Sequence, residues 1–349
     1  METLNRDQSG GLGKFARESP YAVDTPHGIK CRICPNNCIL MEGSESICHT
    51  HVVKNGKLYT IAYGNPCAVH TDPIEKKPLF HFLPGSSSFS IATAGCNLAC
   101  LNCQNWEISQ QSPKDISHTE LFPGKVVEEA IKNRCRSISY TYSEPTAFYE
   151  YMYDTAELAR ANGIKNLLVS NGYINEKPLL DLCKYLDGAN IDLKSFTEKS
   201  YARLTRGRLQ PVLNTLATLR SEGVWLEITN LILPGLTDDL NMIREMCEWL
   251  FLRGFADSPL HFSRFHPMFQ LAGLPYTPVE TLVKAREIAL ETGIRYVYIG
   301  NVPDNESENT FCPSCKMVVI KRNGFAVLSE NLEHGACKNC RTAIAGVWE

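Results

Sequence analysis

Three groups of cysteines carry the chemistry this chain can do. Cys96, Cys100 and Cys103 follow one another as Cys-x3-Cys-x2-Cys. Three thiolates on one short loop can hold three corners of a cubane [4Fe-4S] cluster and leave the fourth iron open, and an open coordination position is where chemistry happens. A cluster that only stored electrons would want a fourth cysteine close by, and none follows. Near the C-terminus, Cys312-x2-Cys315 and Cys337-x2-Cys340 form two knuckles at the spacing of a zinc ribbon, enough to close a tetrahedral shell around Zn²⁺. Near the N-terminus, Cys31, Cys34, Cys38 and Cys48 offer a third set. It suits either zinc or a second Fe-S cluster, because spacing alone does not separate these metals. His49 and His51 flank Cys48 and could substitute as ligands, though a histidine beside a knuckle more commonly faces solvent or supports a ligand. Cys135, Cys183 and Cys247 sit in helical patterns and are expected as small buried apolar residues, whereas Cys67 has no assigned role.

These groups need elements to position them. The β-branched run from Phe89 to Thr93 reads as a buried strand that ends at Gly95, just before the first thiol. Strand patterns recur at Ser137–Thr141, Lys165–Ser170, Ala189–Lys194, Val224–Leu231, Leu260–Phe265 and Arg295–Gly300. Helical patterns alternate with them at Gly124–Arg136, Pro145–Ala161, Glu176–Leu186, Gln210–Glu222, Thr237–Arg253 and Pro278–Glu291. In the second helix, Phe148, Tyr151, Met152, Thr155 and Ala159 share one face. The last opens on Thr277-Pro278-Val279-Glu280, which reads as a capping box with proline at the first helical position. Repeated βα units with short connections imply an α/β fold with a parallel sheet, doubly wound or closing toward a barrel. Either way the loops at the C-terminal strand ends would carry the chemistry, and the three-cysteine loop is one of them. On the strand Leu226–Leu231, Glu227 and Asn230 alternate with apolar residues; one of them facing a substrate and an outward polar face are both compatible with that.

Before the first βα unit, Asp72–Gly85 carries three prolines that exclude a regular helix, and its Leu79, Phe80, Phe82 and Leu83 need burial. It is expected as a linker packed on the barrel mouth, with Glu75-Lys76-Lys77 as a solvated turn. After the last unit, Arg322-Asn323-Gly324 is a hairpin signal between two short strands of the ribbon. So short a module has too little core to fold by burial alone, which is a further reason to expect structural zinc.

Composition narrows the function classes. At 349 residues and 44% hydrophobic content, the chain can bury one barrel-sized core and still hold small modules. No apolar run reaches the roughly 20 residues that cross a bilayer, and Met1–Ser19 lacks a signal-peptide core, so a cytoplasmic protein without membrane contact is expected. Fifteen cysteines in such a chain suggest metals rather than disulfides. A net charge of −3 argues against a broad nucleic-acid surface. No Ser/His/Asp triad or paired carboxylates compete with the cysteines for the chemistry.

Cys96, Cys100 and Cys103 match the signature of radical S-adenosylmethionine (SAM) enzymes, and other segments resemble that family too. Thr141-Tyr142-Ser143-Glu144-Pro145 resembles its Gly-Gly-Glu-Pro segment, Ser170-Asn171-Gly172 its Thr-Asn-Gly turn, and Asp192-Leu193-Lys194 and His266 positions of the glycyl-radical-activating branch. Asn102 departs from the pattern, standing where an aromatic residue often packs on adenine. Nearly the whole chain resembles one subfamily, the AmmeMemoRadiSam proteins, similar to pyruvate formate-lyase activating enzymes.

The resemblance implies a partial (β/α) barrel of six or seven parallel strands over 88–303. Before it come an N-terminal tail over 1–29 and a Cys-rich metal-binding extension and linker over 30–87, and after it a zinc ribbon over 304–349. It implies an oxidoreductase in which Cys96, Cys100 and Cys103 hold a catalytic [4Fe-4S] cluster, with Asn102, Ser143, Glu144, Ser170, Asn171, Asp192, Lys194 and His266 toward SAM. Reductive cleavage of SAM would give a 5′-deoxyadenosyl radical that takes hydrogen from a small molecule or a protein. Activation of a glycyl-radical enzyme is an alternative within the class, and a metal-assembled scaffold or nucleic-acid-binding protein is one outside it. Implied partners are AMMECR-type and Memo-type proteins and a reductant such as flavodoxin or ferredoxin.

Overall fold

The computed structural model describes residues 10–303 and 306–349; Met1 to Ser9 of the N-terminal tail, and residues 304 and 305 at the start of the ribbon segment, lie outside them. The chain divides into two compact units. One comprises residues 10–71, 88–99 and 105–186, the other 72–87, 100–104 and 187–349.

The first unit begins with two small antiparallel hairpin systems. Strands β1 (Ala22–Thr25), β2 (Gly28–Cys31) and β3 (Ile39–Leu40) form one, and β4 (His51–Lys54) pairs with β5 (Lys57–Thr60) in another. The parallel strands follow. β6 (Ser87–Ala92) pairs with β7 (Ser137–Tyr140), and β7 with β8 (Lys165–Ser170). β6 and β7 are buried almost throughout, as expected of parallel strands covered on both faces.

Helices α1 (Pro123–Lys132), α2 (Tyr149–Ala161) and α3 (Glu176–Cys183) make the connections. α1 starts one residue earlier and stops four earlier than its sequence pattern, because Arg134 takes a left-handed φ of 54°. The pattern beginning at Pro145 resolves into a 3₁₀ turn over Pro145–Phe148 and then α2.

In the second unit, β9 (Gly188–Asp192), β10 (Trp225–Ile232), β11 (Leu260–Arg264) and β12 (Val297–Gly300) pair in parallel in that order. Helices α4 (Glu198–Thr205), α5 (Leu209–Ser221), α6 (Leu240–Leu252) and α7 (Val279–Glu291) intervene. α6 begins three residues later than its pattern, with the Asp239 side chain accepting from Asn241 N.

The capping box expected at α7 does not form. The Thr277 hydroxyl accepts from Phe265 N (3.0 Å) and donates to Ile232 O (2.5 Å), joining the ends of β10 and β11, while Glu280 turns to Lys284 (2.7 Å). A hydroxyl buried between two strand ends is worth more there than at an exposed helix start, because otherwise two buried backbone groups would be unpaired.

Within the Asp72–Gly85 segment, Glu75-Lys76-Lys77 is not the solvated turn expected of its charges. Glu75 and Lys77 are each 1% exposed. Lys77 Nζ lies 2.6 Å from Asp72, Glu75 accepts from Gly85 N (2.9 Å), and Phe80 N and His81 N both donate to Glu227. Glu227 also receives Trp225 Nε1 (3.1 Å) and His261 Nε2 (2.7 Å), so its buried carboxylate is the clamp that fastens this strap to β10. The two readings weighed for Glu227, toward substrate or toward solvent, both give way to this role.

In the ribbon, β13 (Val318–Asn323) and β14 (Ala326–Glu330) form the hairpin around Gly324. Val319, Ile320, Leu332 and Ile344 share a core with Phe80 of the strap and with Tyr296 and Tyr298.

Candidate active site

Parallel pairing of β6, β7 and β8 brings three sequence-distant loops to the same strand ends. The loop after β6 carries Cys96, that after β7 carries Ser143 and Glu144, and that after β8 carries Asn171. Tyr142 adopts a φ of 62°, a left-handed conformation that favours glycine, which accounts for the resemblance of this position to a family glycine. Ser143 Oγ donates to Thr93 O (2.7 Å).

Glu144 is 2% exposed and accepts from Thr146 N (2.9 Å), Ser170 Oγ (2.7 Å) and Asn171 N (2.9 Å). Burial pushes its carboxyl above the usual range, against the pull of those donors. Together with the Thr146 side chain, these donors fix the carboxylate in place. Asn171 continues the chain of contacts, its Nδ2 donating to Asn97 Oδ1 (2.8 Å) and lying 3.9 Å from Cys96 Sγ. Leu98 N points at the same sulfur (3.4 Å), the kind of backbone support that a cluster thiolate receives.

Asn97 was not singled out in the sequence. Its Nδ2 also holds Tyr173 O (2.7 Å), so one asparagine ties the cysteine loop to the β8 loop. A short polar side chain between two cysteines was the signal.

In the second unit, Cys103 N donates to Cys100 O (3.2 Å), and Leu101 N to Leu204 O (3.0 Å) at the end of α4. Asn102 Oδ1 is a buried acceptor with no partner among the described residues, and so is Asn230 Oδ1. Asp192, the last residue of β9, and Lys194, just past it, pair at 2.8 Å. Burial works against the Lys194 charge, but Asp192 and Cys100 hold its pKa well above the ordinary value. His266 is exposed, edge-on to Tyr276 with 5.0 Å between ring centres. A cavity of about 250 Å³ opens beside Leu101, lined also by Lys199, Arg203 and Leu236.

Every cysteine is a thiol. Cys135, Cys183 and Cys247 are buried, as expected, and Cys67 N and Sγ both point at Ala92 O. In the ribbon, Cys312 Sγ lies 3.5 Å from Cys340 Sγ and Cys315 Sγ 3.7 Å from Cys337 Sγ, and all four sulfurs fall within 4.8 Å of one another. Four thiols gathered this closely could hold one metal ion.

At the N-terminal group, burial would raise Cys48, but His51, Ser46 and Thr50 bring it down to about 7. His51 is buried and bonded to Glu150 (3.2 Å), while His49 is at the surface.

The residues fit the group that the three-cysteine loop calls for. Three thiols sit on one loop, and on that loop Asn102 Oδ1 is a buried acceptor without a partner among the described residues. Bound there, a [4Fe-4S] cluster supplies the electron that splits SAM. The chain's own part is to support the Cys96 sulfur with Leu98 N and to brace the buried Glu144 with donors from Thr146, Ser170 and Asn171.

The Radical SAM superfamily matches residues 90–250. A Methanocaldococcus jannaschii protein, "Uncharacterized protein MJ0808", is 45% identical over 318 residues, which cover 90% of this chain and 95% of its own. Among solved structures, a radical SAM methyltransferase from Sphaerobacter thermophilus aligns with a TM-score of 0.49 at 15% identity, over 63% of this chain and 68% of its own. A domain of pyruvate-formate lyase-activating enzyme from Bacteroides vulgatus aligns at 0.41 and 15%, over 47% of this chain and 99% of its own. Overlap of that extent bears on neither substrate nor mechanism. Among the described residues no helix is long and apolar enough to cross a membrane. The parallel βα units, the three-cysteine loop within the matched segment and a relative similar along nearly its full length lead to one conclusion: the chain carries a radical SAM domain over residues 90–250 and belongs to a family shared with the M. jannaschii protein.

Proposed function

We propose that this protein cleaves SAM reductively at a [4Fe-4S] cluster held by Cys96, Cys100 and Cys103, and uses the 5′-deoxyadenosyl radical to take hydrogen from a small molecule or a partner protein's side chain. The observation that carries this is the braced Glu144, held by the β8 loop that also reaches Cys96. Glu144, with Ser143, Ser170 and Asn171 around it, receives the SAM ammonium. Asn102, Asp192, Lys194 and His266 complete the contacts to SAM. Residues 88–303 make a partial (β/α) barrel of six or seven strands, preceded by the Cys-rich extension of 30–87 and followed by the segment 304–349, whose four sulfurs hold zinc. Lys199 and Arg203 beside Leu101 suit an acidic electron carrier such as flavodoxin or ferredoxin, in keeping with a cytoplasmic enzyme.

The sequence resemblance to pyruvate formate-lyase activating enzymes keeps glycyl-radical activation as the alternative, and AMMECR-type and Memo-type proteins are the first partners to try. The test is anaerobic turnover of the reduced, reconstituted protein with SAM and each candidate partner. Mass change in a partner, or deuterium passing from a labelled substrate into 5′-deoxyadenosine, supports the proposal. A stable glycyl radical in a partner selects the activase alternative, and an intact cluster that leaves SAM whole contradicts both.

A further inference from the structure

The N-terminal cysteines form a largely buried group that the proposed reaction at Cys96 does not use. Cys31 ends β2, Cys34 and Cys38 lie on the loop to β3, and Cys48 precedes β4. Cys31, Cys34 and Cys48 are between 6% and 8% exposed. The loop is shaped by the protein itself. Cys31 N donates to Cys38 O (2.9 Å), and Asn175 Nδ2 spans Arg32 O (2.7 Å) and Cys34 O (3.0 Å).

The Cys48 sulfur has neighbours suited to a thiolate. Ser46 Oγ accepts from His51 N (3.2 Å) and so aims its proton at Cys48 Sγ (3.0 Å). His51 Nδ1 lies 3.7 Å from the same sulfur, with Glu150 behind its Nε2 (3.2 Å). A carboxylate behind a histidine that supports a metal-bound atom is a common outer shell of metal centres.

One observation favours a cluster over a single ion, and a second gives its place. Among the described residues, the ribbon sulfurs are the one group of ligand atoms gathered within 4.8 Å. The N-terminal four, on the chain between β2 and β4, are not drawn in that tightly. A cubane spreads its thiolates more widely than one tetrahedral ion does.

The second observation is place. A Cβ on Gly95, the residue before Cys96, would lie 2.4 Å from Cys48 O, and Asn36 Nδ2 donates to Asn97 O (2.7 Å), on the residue after it. Cys96 is therefore gripped from both sides by the loops that carry Cys34, Cys38 and Cys48.

We propose that Cys31, Cys34, Cys38 and Cys48 ligate a second [4Fe-4S] cluster seated against the Cys96 loop, with Ser46 and His51 hydrogen-bonded to its Cys48 sulfur. The inference rests on the proposal that Cys96, Cys100 and Cys103 hold the first. The experiment is metal analysis and low-temperature electron paramagnetic resonance of the full chain, reconstituted anaerobically with iron and sulfide and then reduced.

The triple variant Cys96→Ala/Cys100→Ala/Cys103→Ala keeps roughly half of the wild-type iron and a reduced-cluster signal. The variant Cys31→Ala/Cys34→Ala loses roughly the same share, with its zinc unchanged. His51→Gln keeps the iron but shifts the potential at which the triple variant's signal appears. Zinc in place of iron at this site, or a triple variant devoid of iron, overturns the proposal. Because these readouts do not depend on SAM cleavage, an inactive but doubly loaded protein would refute the proposed function and leave the second cluster standing. Should the Cys31/Cys34 variant fail to fold, the wild-type and triple-variant iron contents decide.

Discussion

At the scale of single residues, the sequence pointed to Glu144 by its place after a strand, but not to what holds it. Its partners Ser170 and Asn171 lie 26 and 27 positions away and become neighbours only through strand pairing, which no local pattern encodes. Glu144→Ala removes the acceptor of two backbone N–H groups and a hydroxyl in a buried site, and should cost about 2–4 kcal/mol in urea unfolding while abolishing SAM binding in calorimetry. A variant as stable as the wild type that still binds SAM would remove Glu144 from the site.

His81 gives a pH signature of its own. Burial first, then the charges of Arg322 and His261, lower its pKa to about 4, although Glu227 and Ala345 O pull the other way. A histidine kept neutral in the fold contributes its full stability above the unfolded value of about 6.5 and loses it as pH falls toward 4, where both states are protonated. The loss is on the order of 3 kcal/mol. Unfolding midpoints measured from pH 7 to pH 4 should fall more steeply for the wild type than for His81→Asn; equal slopes would show that another group governs the acid limb.

At the scale of elements, the alternation of strands and helices was legible because fully buried parallel strands and amphipathic helices write their periods into the sequence. What stayed hidden was where charged and polar groups spend their hydrogen bonds. Thr277 looked like a helix cap and instead joins two strands, and Glu75-Lys76-Lys77 within the strap looked like a solvated turn because of its charges. Long-range partners decide such cases, and the carboxylate of Glu227 is the plainest. Glu227→Ala leaves Phe80 N and His81 N without their acceptor and should destabilise the protein by about 3–5 kcal/mol, releasing the strap to proteolysis. Unchanged protease resistance would mean that apolar packing of Phe80 alone holds it.

The ribbon behaves as an element of the same kind. If its four sulfurs bind zinc worth on the order of 10–16 kcal/mol, a chelator should unfold the hairpin around Gly324 and raise solvent exposure of Trp348 in fluorescence. An unchanged spectrum after complete metal removal would place its stability in the core shared with Phe80 and Tyr298.

At the scale of the whole molecule, the three cysteine groups are written plainly in the sequence, but their different natures are not, because spacing reports which thiols belong together and not how far apart the fold holds them. The ribbon sulfurs converge on one ion's volume, whereas Cys96 and the N-terminal four meet through Gly95, Asn36 and Asn97, residues with no metal chemistry of their own. The radical SAM domain and the braced Glu144 converge on one activity that does not depend on knowing the substrate. The most direct measurement is chromatographic quantification of 5′-deoxyadenosine from SAM by anaerobic, dithionite-reduced protein of verified iron content. The wild type should produce it and the Cys96→Ala/Cys100→Ala/Cys103→Ala variant should not, even where that variant still carries iron; equal product from both would contradict the assignment of the active site.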